Sequence, residues 1–504
     1  MPGGPAAARR PAAVASLKKQ ENTMVLGIIG ILVSLALLIT LAYRGVTVVI
    51  AAPTAAIVAM LFSQAPLLAS YTEIFMPALG GFITSYFPMF LTGAIFGKLM
   101  TMSGYATDIA QTMTRRLGSR QAMLTTVLTT GLLTYGGISV FVVVFVMFPL
   151  ARELFREADI PRRLLPATIA HGMLTFTMTA LPGSPQVQNI IPAQAFQTTS
   201  FAAPLIGVIG GTAIFALGMV WLEYRKRRLM GAGESFADLT ALERRSGADA
   251  DVSTQAQSVV MSGSPSRGSE SLTPPNHVVP FIPVLLVFAV NFGCTILLFP
   301  ALDWGYLQEE RFGGVTVDER AGVWAVLIAL FLAAVSILVL SLKDAKWLVG
   351  GVADGARNAL LPIFNTASEV GYGAVIASLG AFALVRDGIF GISDSALVSS
   401  AVSTSVIAGV TGSASGGMTI ALNAFGEDLA QQAAEQGISL EIMHRITAMA
   451  SGGLDSMPHN GAVITLLMVC GMTHRESYKD VGVITLVIPV LVTAALIAAY
   501  LTFA

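Results

Sequence analysis

Residues 443–470 read MHRITAMASGGLDSMPHNGAVITLLMVC. The stretch exceeds the ~20 apolar residues that carry a helix across a bilayer. Its centre, however, holds Gly452-Gly453, Asp455, Pro458, His459 and Asn460. Proline removes a backbone donor and clashes with the preceding turn. Backbone freed at membrane depth is tolerated only where protein or a wet cavity satisfies it. The stretch therefore reads as a crossing broken at its middle. Residues 163–190 repeat the pattern, interrupted by Leu181-Pro182-Gly183-Ser184-Pro185-Gln186-Val187-Gln188-Asn189. Two further apolar stretches, 121–150 and 395–424, are too long for one crossing. They carry Tyr135-Gly136-Gly137-Ile138-Ser139 and Thr411-Gly412-Ser413-Ala414-Ser415-Gly416-Gly417 where a straight helix should be strongest. Both read as re-entrant helical hairpins that enter and leave on one side.

The rest of the chain agrees. Of 504 residues, 54% are apolar and 12% charged, and the mean hydropathy is +0.73. Soluble domains carry about 25% charged residues. This composition excludes a soluble globular protein and a disordered chain. Lys+Arg 29 against Asp+Glu 30 leaves a net charge of −1, with no basic field for nucleic acid. Besides the hairpins, crossings are expected at 24–43, 46–62, 78–101, 163–190 and 203–222, then at 278–301, 321–342, 359–386, 443–470 and 480–503. Cys294 and Cys470 fall inside apolar runs, so neither a disulfide framework nor a thiolate metal site is indicated. There is no GxxxxGK[ST] loop for ATP, no metal-ligand spacing and no cofactor motif.

The fold expected is an all-α polytopic membrane protein with two matched halves, 24–222 and 278–504. Ser139 and Ser415 at the hairpin tips lie 276 residues apart, and Pro185 and Pro458 in the breaks lie 273 apart. Direct identity between the halves is weak. Five crossings per half is an odd number, so the second half starts on the opposite side, which makes an inverted-topology repeat. Segment 223–277 joins the halves. It opens on Arg225-Lys226-Arg227-Arg228 and ends in Ser, Gly and Pro, the composition of a flexible tether rather than a phosphorylated switch. Basic residues collect in alternate loops: Arg115, Arg116 and Arg120, then Arg152 to Arg163, then Arg225 to Arg228, then Lys343 and Lys346, then Arg475 and Lys479. Those loops, 223–277 included, are expected in the cytoplasm. Residues 1–23, with Arg9, Arg10, Lys18 and Lys19, dissent from this orientation, and Met24 is the expected start of the natural chain.

The tips and breaks carry the chemistry. Broken helices expose N-terminal N–H groups and positive dipole ends, which attract anions. Gly137, Ser139, Ser184, Gln186, Asn189, Thr411, Ser413, Ser415 and Asn460 would then bind an anionic solute without a fixed charge among them. The competing reading is that small polar residues only allow close helix packing. Ionisable groups inside crossings default to function. Asp455 and His459 flank Pro458 and form a candidate proton-carrying pair; alternatively Asp455 caps the restarted helix. Glu369 is a second coupling candidate, or it pairs with a cation near a membrane face. His171 reads as an interhelix hydrogen-bonder.

Gly452-Gly453-Leu454-Asp455-Ser456-Met457-Pro458-His459-Asn460-Gly461-Ala462-Val463-Ile464-Thr465 resembles the gluconate permease family. So do Gly471-Met472-Thr473-His474-Arg475-Glu476-Ser477-Tyr478-Lys479-Asp480, Leu181–Gln186 and Thr411–Gly417. The resemblance covers about 24–504. It implies a bacterial inner-membrane symporter for sugar acids or short hydroxy acids, within the superfamily of citrate and dicarboxylate carriers. Those carriers set two hairpin tips against two broken helices and move them as an elevator, and they are often dimers, so the resemblance implies a homodimer. The Gly-Leu-Asp-Ser-Met-Pro-His-Asn version is more similar to permeases assigned to 3-hydroxybutyrate-type or citrate-type acids than to gluconate. Protons are the coupling ion implied, with sodium as the alternative.

Three functions compete. The first is a proton-coupled importer of a small organic carboxylate. The second is a cation/proton antiporter of the same architecture, with Asp455 holding the cation. The third, an intramembrane hydrolase using Ser, His459 and Asp455, lacks any nucleophile-elbow context.

Overall fold

The computed structural model describes residues 9–44, 46–118, 121–238 and 278–503, and the described residues are helical or loop. The chain forms two compact units. The smaller takes in the chain up to Thr84 together with Phe364–Asp394; the larger takes in Ser85–Ile363 and the chain from Ser395 onward.

In the smaller unit, α1 (Arg9–Tyr43) packs against α2 (Val48–Phe62). The contact face of α2 is Ala51, Ala52, Ala55, Ala56 and Ala59, all fully buried. Lipid gives no hydrophobic drive between helices, so small residues that let backbones approach supply the packing instead. Residues 9–23 run into the first crossing as one helix, while 1–8 lie outside the described residues. Ser34 and Tyr372 share a hydrogen bond of 2.9 Å, and Asn365 Oδ1 accepts from Val49 N at 3.3 Å. Glu369 belongs to this unit, buried on α12 (Ala345–Ser378). The expected crossing 359–386 is not one straight helix. After Ser378 the chain turns by 94° through Leu379-Gly380-Ala381 into α13 (Phe382–Phe390).

The larger unit holds the remaining elements. They are α3 (Leu67–Met102), which starts in the smaller unit, α4 (Tyr105–Leu117), α5 (Ala122–Tyr135), α6 (Val140–Glu157), α7 (Leu165–Met173), α8 (Val187–Ala195), α9 (Pro204–Gly231), α10 (Phe281–Ala301), α11 (Val317–Leu340), α14 (Ala396–Thr411), α15 (Ala414–Glu435), α16 (Leu440–Leu454), α17 (Gly461–Val469) and α18 (His474–Phe503). Among the described residues, six helices are long and apolar enough to cross a membrane: Met24–Leu41 of α1, then α3, α9, α10, α11 and α18; the bent pair α12–α13, taken as one span, makes a seventh. Of the other expected crossings, 46–62 is the short α2, and 163–190 and 443–470 are each divided. The tether begins later than its composition indicated, because Arg225–Arg228 are the last turns of α9. Residues 239–277 lie outside the described residues.

One offset recurs through the larger unit. Helix starts at 122 and 396, 140 and 414, and 187 and 461 are each 274 residues apart. The packing recurs with it: α5 lies on α7 as α14 lies on α16, and α8 lies on α15 as α17 lies on α6. A buried hydroxyl quartet keeps the same offset, Thr125, Thr126, Thr129 and Thr130 against Ser399, Ser400, Ser403 and Thr404. One ion pair closes the side of the unit. Arg225 donates to both oxygens of Asp480, at 2.5 and 3.0 Å, and Trp221 Nε1 adds a third bond at 3.2 Å. Bidentate geometry of this kind is among the strongest charge-assisted pairings.

Candidate functional site

Both hairpins and both breaks lie in the larger unit, and each tip is hydrogen-bonded to its own break. In the first half α7 ends at Met173. A π-helical turn, Phe176–Ala180, leads into extended Leu181 and then Gly183. Single π turns inside helices mark functional sites more often than chance. Gln186 stands at the N-cap of α8, and its Nε2 donates to Thr134 O in the first hairpin at 2.7 Å. Tyr135 donates from the other side to Pro182 O at 2.6 Å. In the second half Asn460 is the N-cap of α17. Its Oδ1 accepts from Val463 N at 2.9 Å, and its Nδ2 donates to Gly412 O at 3.0 Å and Asp455 O at 3.1 Å. Gln186 and Asn460 are again 274 residues apart. The cap expected of Asp455 is thus supplied by Asn460.

The tips are built for close approach. Gly412 has φ +67°, and a Cβ there would lie 2.6 Å from His459 Cδ2, so the second tip rests directly on the second break. Gly137 turns the first tip at φ +91°. The two breaks are neighbours as well: a Cβ on Gly452 would lie 2.5 Å from Thr179 Cγ2.

The carbonyls freed by the breaks are met by protein donors. Pro182 O takes Tyr135, Gly183 O takes Asn291 Nδ2 at 3.0 Å, and Ser184 O takes Asn189 Nδ2 at 2.9 Å. In the second break Ser456 O takes the Tyr478 hydroxyl at 3.0 Å and Pro458 O lies 2.8 Å from His474 Nε2. The first-turn N–H groups of α6, α8, α15 and α17 have no intrahelical i−4 acceptor; Gly416 N goes to Ser413, Val463 N to Asn460 and Asn189 N to Gln186 O, and the N–H groups before them in each first turn face the tips and breaks. Ser139 stands at the N-cap of α6 and Ser415 in the first turn of α15, both half-buried. Ser413 caps α15, accepting from Gly416 N at 3.1 Å. Thr411 bonds back to Ile407 O at 2.9 Å. Ser184 is fully buried, with Gln186 N reaching its hydroxyl at 3.5 Å.

Asn189 differs from its expected role. Its Nδ2 donates to Ser184 O and Ser200 O, at 2.9 and 2.8 Å, and its Oδ1 accepts from Arg445 Nη1 at 2.8 Å. The two carbonyls fix the amide's orientation, so His444 Nε2, 3.2 Å from Oδ1, must donate. His444 Nδ1 then accepts from Thr198, 2.6 Å away. The amide is fully engaged by protein. Arg445 is fully buried; besides Asn189 it donates to Ala202 O at 2.8 and 3.1 Å and to Ser200 O at 3.2 Å. Neither His444 nor Arg445 stood out in the sequence, although a cation within a crossing is itself a signal. Asp455, 3% exposed, receives the Ser456 hydroxyl at 3.1 Å. His459 is half-buried against Gly412. His171 bonds Phe215 O at 3.1 Å and stacks on the Phe215 ring, as an interhelix hydrogen-bonder should.

Tyr135→Phe removes one tip-to-break bond and nothing else. It is expected to cost about 1 kcal/mol, read as a modest fall in thermal unfolding temperature with the fold retained.

Multiple apolar helices, two divided crossings and tips docked on the divisions define a multi-pass membrane transporter. The comparisons with known proteins agree. The profile of the GntP family permeases matches residues 23–260. The chain is 42% identical over 463 residues to the uncharacterized transporter YxjC of Bacillus subtilis, covering 91% of this chain and 95% of that one. It is 30% identical over 159 residues to an uncharacterized transporter of Haemophilus influenzae, 31% of this chain and 36% of that one. The chain belongs to the GntP permease family. In fold it is similar to the YdaH transporter of Alcanivorax borkumensis, whose crystal structure has an unusual topology: TM-score 0.51, 15% identity, covering 84% of this chain and 87% of that one.

Proposed function

We propose that the protein imports a small organic carboxylate together with protons, by elevator-like movement of the tips and breaks. The observation that carries this reading is that the carbonyls freed by both breaks are met by protein donors, while the N-termini of α8 and α17 keep first-turn N–H groups beyond those that Gln186 O and Asn460 take. A site whose carbonyls are capped and whose N–H groups are open favours an anion. Ser139, Ser413 and Ser415 add hydroxyls, and Gln186 and Asn460 hold each tip to its break. Asp455 is the proposed proton carrier, with His459 four residues on in the same break; Glu369 is a second coupling candidate. The 274-residue recurrence supports two inverted repeats, since such folds place the site where broken helices of the two copies meet. A bacterial inner-membrane location, the loops rich in Arg and Lys in the cytoplasm, and a homodimer complete the proposal. A hydroxy acid of the 3-hydroxybutyrate, gluconate or citrate type fits its substrate class.

Uptake of labelled 3-hydroxybutyrate into proteoliposomes under an inward pH gradient tests the reading, with short carboxylates as competitors. Accumulation that collapses with the gradient supports it. Cation-driven proton efflux without acid uptake would establish the antiporter instead. His459→Gln is expected to abolish pH-driven accumulation while sparing binding; unimpaired accumulation would remove His459 from the mechanism.

A further inference from the structure

Among the described residues, the charged side chains buried in the larger unit are Arg225, Arg445, Asp455 and Asp480. Arg225 and Asp480 cancel in their two-bond pair. That leaves one cation and one carboxylate with no ion pair between them. Arg445 directs its N–H groups to Asn189 and to the carbonyls of Ser200 and Ala202, behind the first break. Asp455 lies ten residues on, in the second break, about 15 Å along the helix. Carrying a net charge through the bilayer core is costly. A mobile unit with this inventory crosses readily only when its charges sum to zero.

We propose that Arg445 is the fixed counter-charge of the transport site, so that the moving unit is neutral in only two states. The first is empty, with Asp455 ionised against Arg445. The second is loaded, with the proton on Asp455 and one substrate carboxylate balancing Arg445. A proton alone leaves the unit positive; an anion alone leaves it negative. Coupling then follows from the charge count, and the substrate class narrows to monocarboxylates, one proton each. This rests on the carboxylate and proton reading above.

Other titratable groups do not change the count. On α16 itself, Glu441 lies four residues before Arg445 but is exposed at the helix start, accepting from Ala203 N at 3.3 Å, so it stands outside the buried count, and His444 is bonded to Asn189 and Thr198. Of the elements packed against α16, α14 and α8 contain none. Glu427, Asp428 and Glu435 lie in the second half of α15, away from its tip. The charged turns of α9 lie at its far end, beyond Trp221. On α18, Tyr478 and His474 bond Ser456 O and Pro458 O. His459, in the same break, hands the proton on to Asp455 and is neutral in both the empty and the loaded state, so it leaves the count unchanged.

Proteoliposomes with a fixed inward pH gradient, and a membrane potential clamped at either sign by potassium and valinomycin, provide the test with labelled 3-hydroxybutyrate. The wild-type initial rate should be the same at both signs, whereas a full charge moved through 100 mV changes a rate by up to about 50-fold. In Asp455→Asn, exchange of internal for external acid should also ignore the potential, because the loaded unit stays neutral. Its net uptake should rise with an inside-positive potential, which drives the positive empty unit back out. Arg445→Gln should make residual exchange potential-sensitive, and Arg445→Lys should restore indifference. A wild-type rate that follows the potential, or Asp455→Asn exchange that does, overturns the charge count. The Asp455→Asn arm decides even where an Arg445 variant does not fold. No acid uptake by the wild type in any gradient overturns the transport reading itself, and this inference with it.

Discussion

Asp455→Asn should reduce pH-driven accumulation of 3-hydroxybutyrate to the level of protein-free liposomes while leaving exchange of internal for external acid intact. Asparagine keeps the size of the side chain and its acceptor oxygen for the Ser456 hydroxyl. What it loses is the exchangeable proton. Asp455 stands at the end of α16 with 3% exposure, so an ionised carboxylate there is costly unless another charge balances it. A permanently neutral residue mimics the protonated, loaded carrier. That carrier shuttles with substrate bound but returns empty with difficulty. The check is paired: net uptake under a pH gradient, and counterflow at equal pH. Loss of both would point to a structural role for Asp455; retention of both would exclude it from coupling.

Asn189→Ala is expected to be the most destabilising single change in the site. One amide joins the first break, the loop after α8, and the His444–Arg445 pair on α16. Alanine leaves a guanidinium N–H, an imidazole N–H and the Ser184 carbonyl without partners in a buried setting. Each unsatisfied buried group costs about 1–3 kcal/mol, and stranding part of a buried cation costs more. A total of about 3 kcal/mol or more should appear as a large fall in thermal unfolding temperature in detergent. Gln186→Ala is the comparison. It removes only the 2.7 Å bond to Thr134 O and should cost about 1 kcal/mol. Equal losses in the two variants would mean that the Asn189 network is not the joint described here.

Much of the architecture was legible because breaks in apolar runs are local signals. Pro185, Pro458 and the glycines at the tips mark them, and the structure places turns at each. The recurrence was only half legible. Thr125, Thr126, Thr129 and Thr130 answer to Ser399, Ser400, Ser403 and Thr404 at one offset, but exchanging Thr for Ser hides the match from an identity count. The bend after Ser378 had a signal in Gly380, outweighed by the apolar residues around it.

The site was harder to read because hydrogen bonds across 250 residues have no local signature. Asn189 looked like a solute ligand because an amide in a break has donors and acceptors to offer; the fold engages all of them. Asn460, not Asp455, caps the restarted helix, since its side chain reaches both Val463 N and the second tip at Gly412 O. Arg445 sits three residues into the stretch 443–470, where a cation reads as an interfacial anchor. The helix begins at Leu440 and the guanidinium turns inward, which only the neighbouring carbonyls explain.

Thiol protection shows whether both tips face one carboxylate. Ser139→Cys and Ser415→Cys, each made with Cys294 and Cys470 replaced by alanine, would be labelled with a membrane-permeant maleimide in proteoliposomes. 3-Hydroxybutyrate should slow labelling at both positions, and a non-transported amide of the same shape should not. Acid accumulation with labelling unchanged at both positions would contradict it.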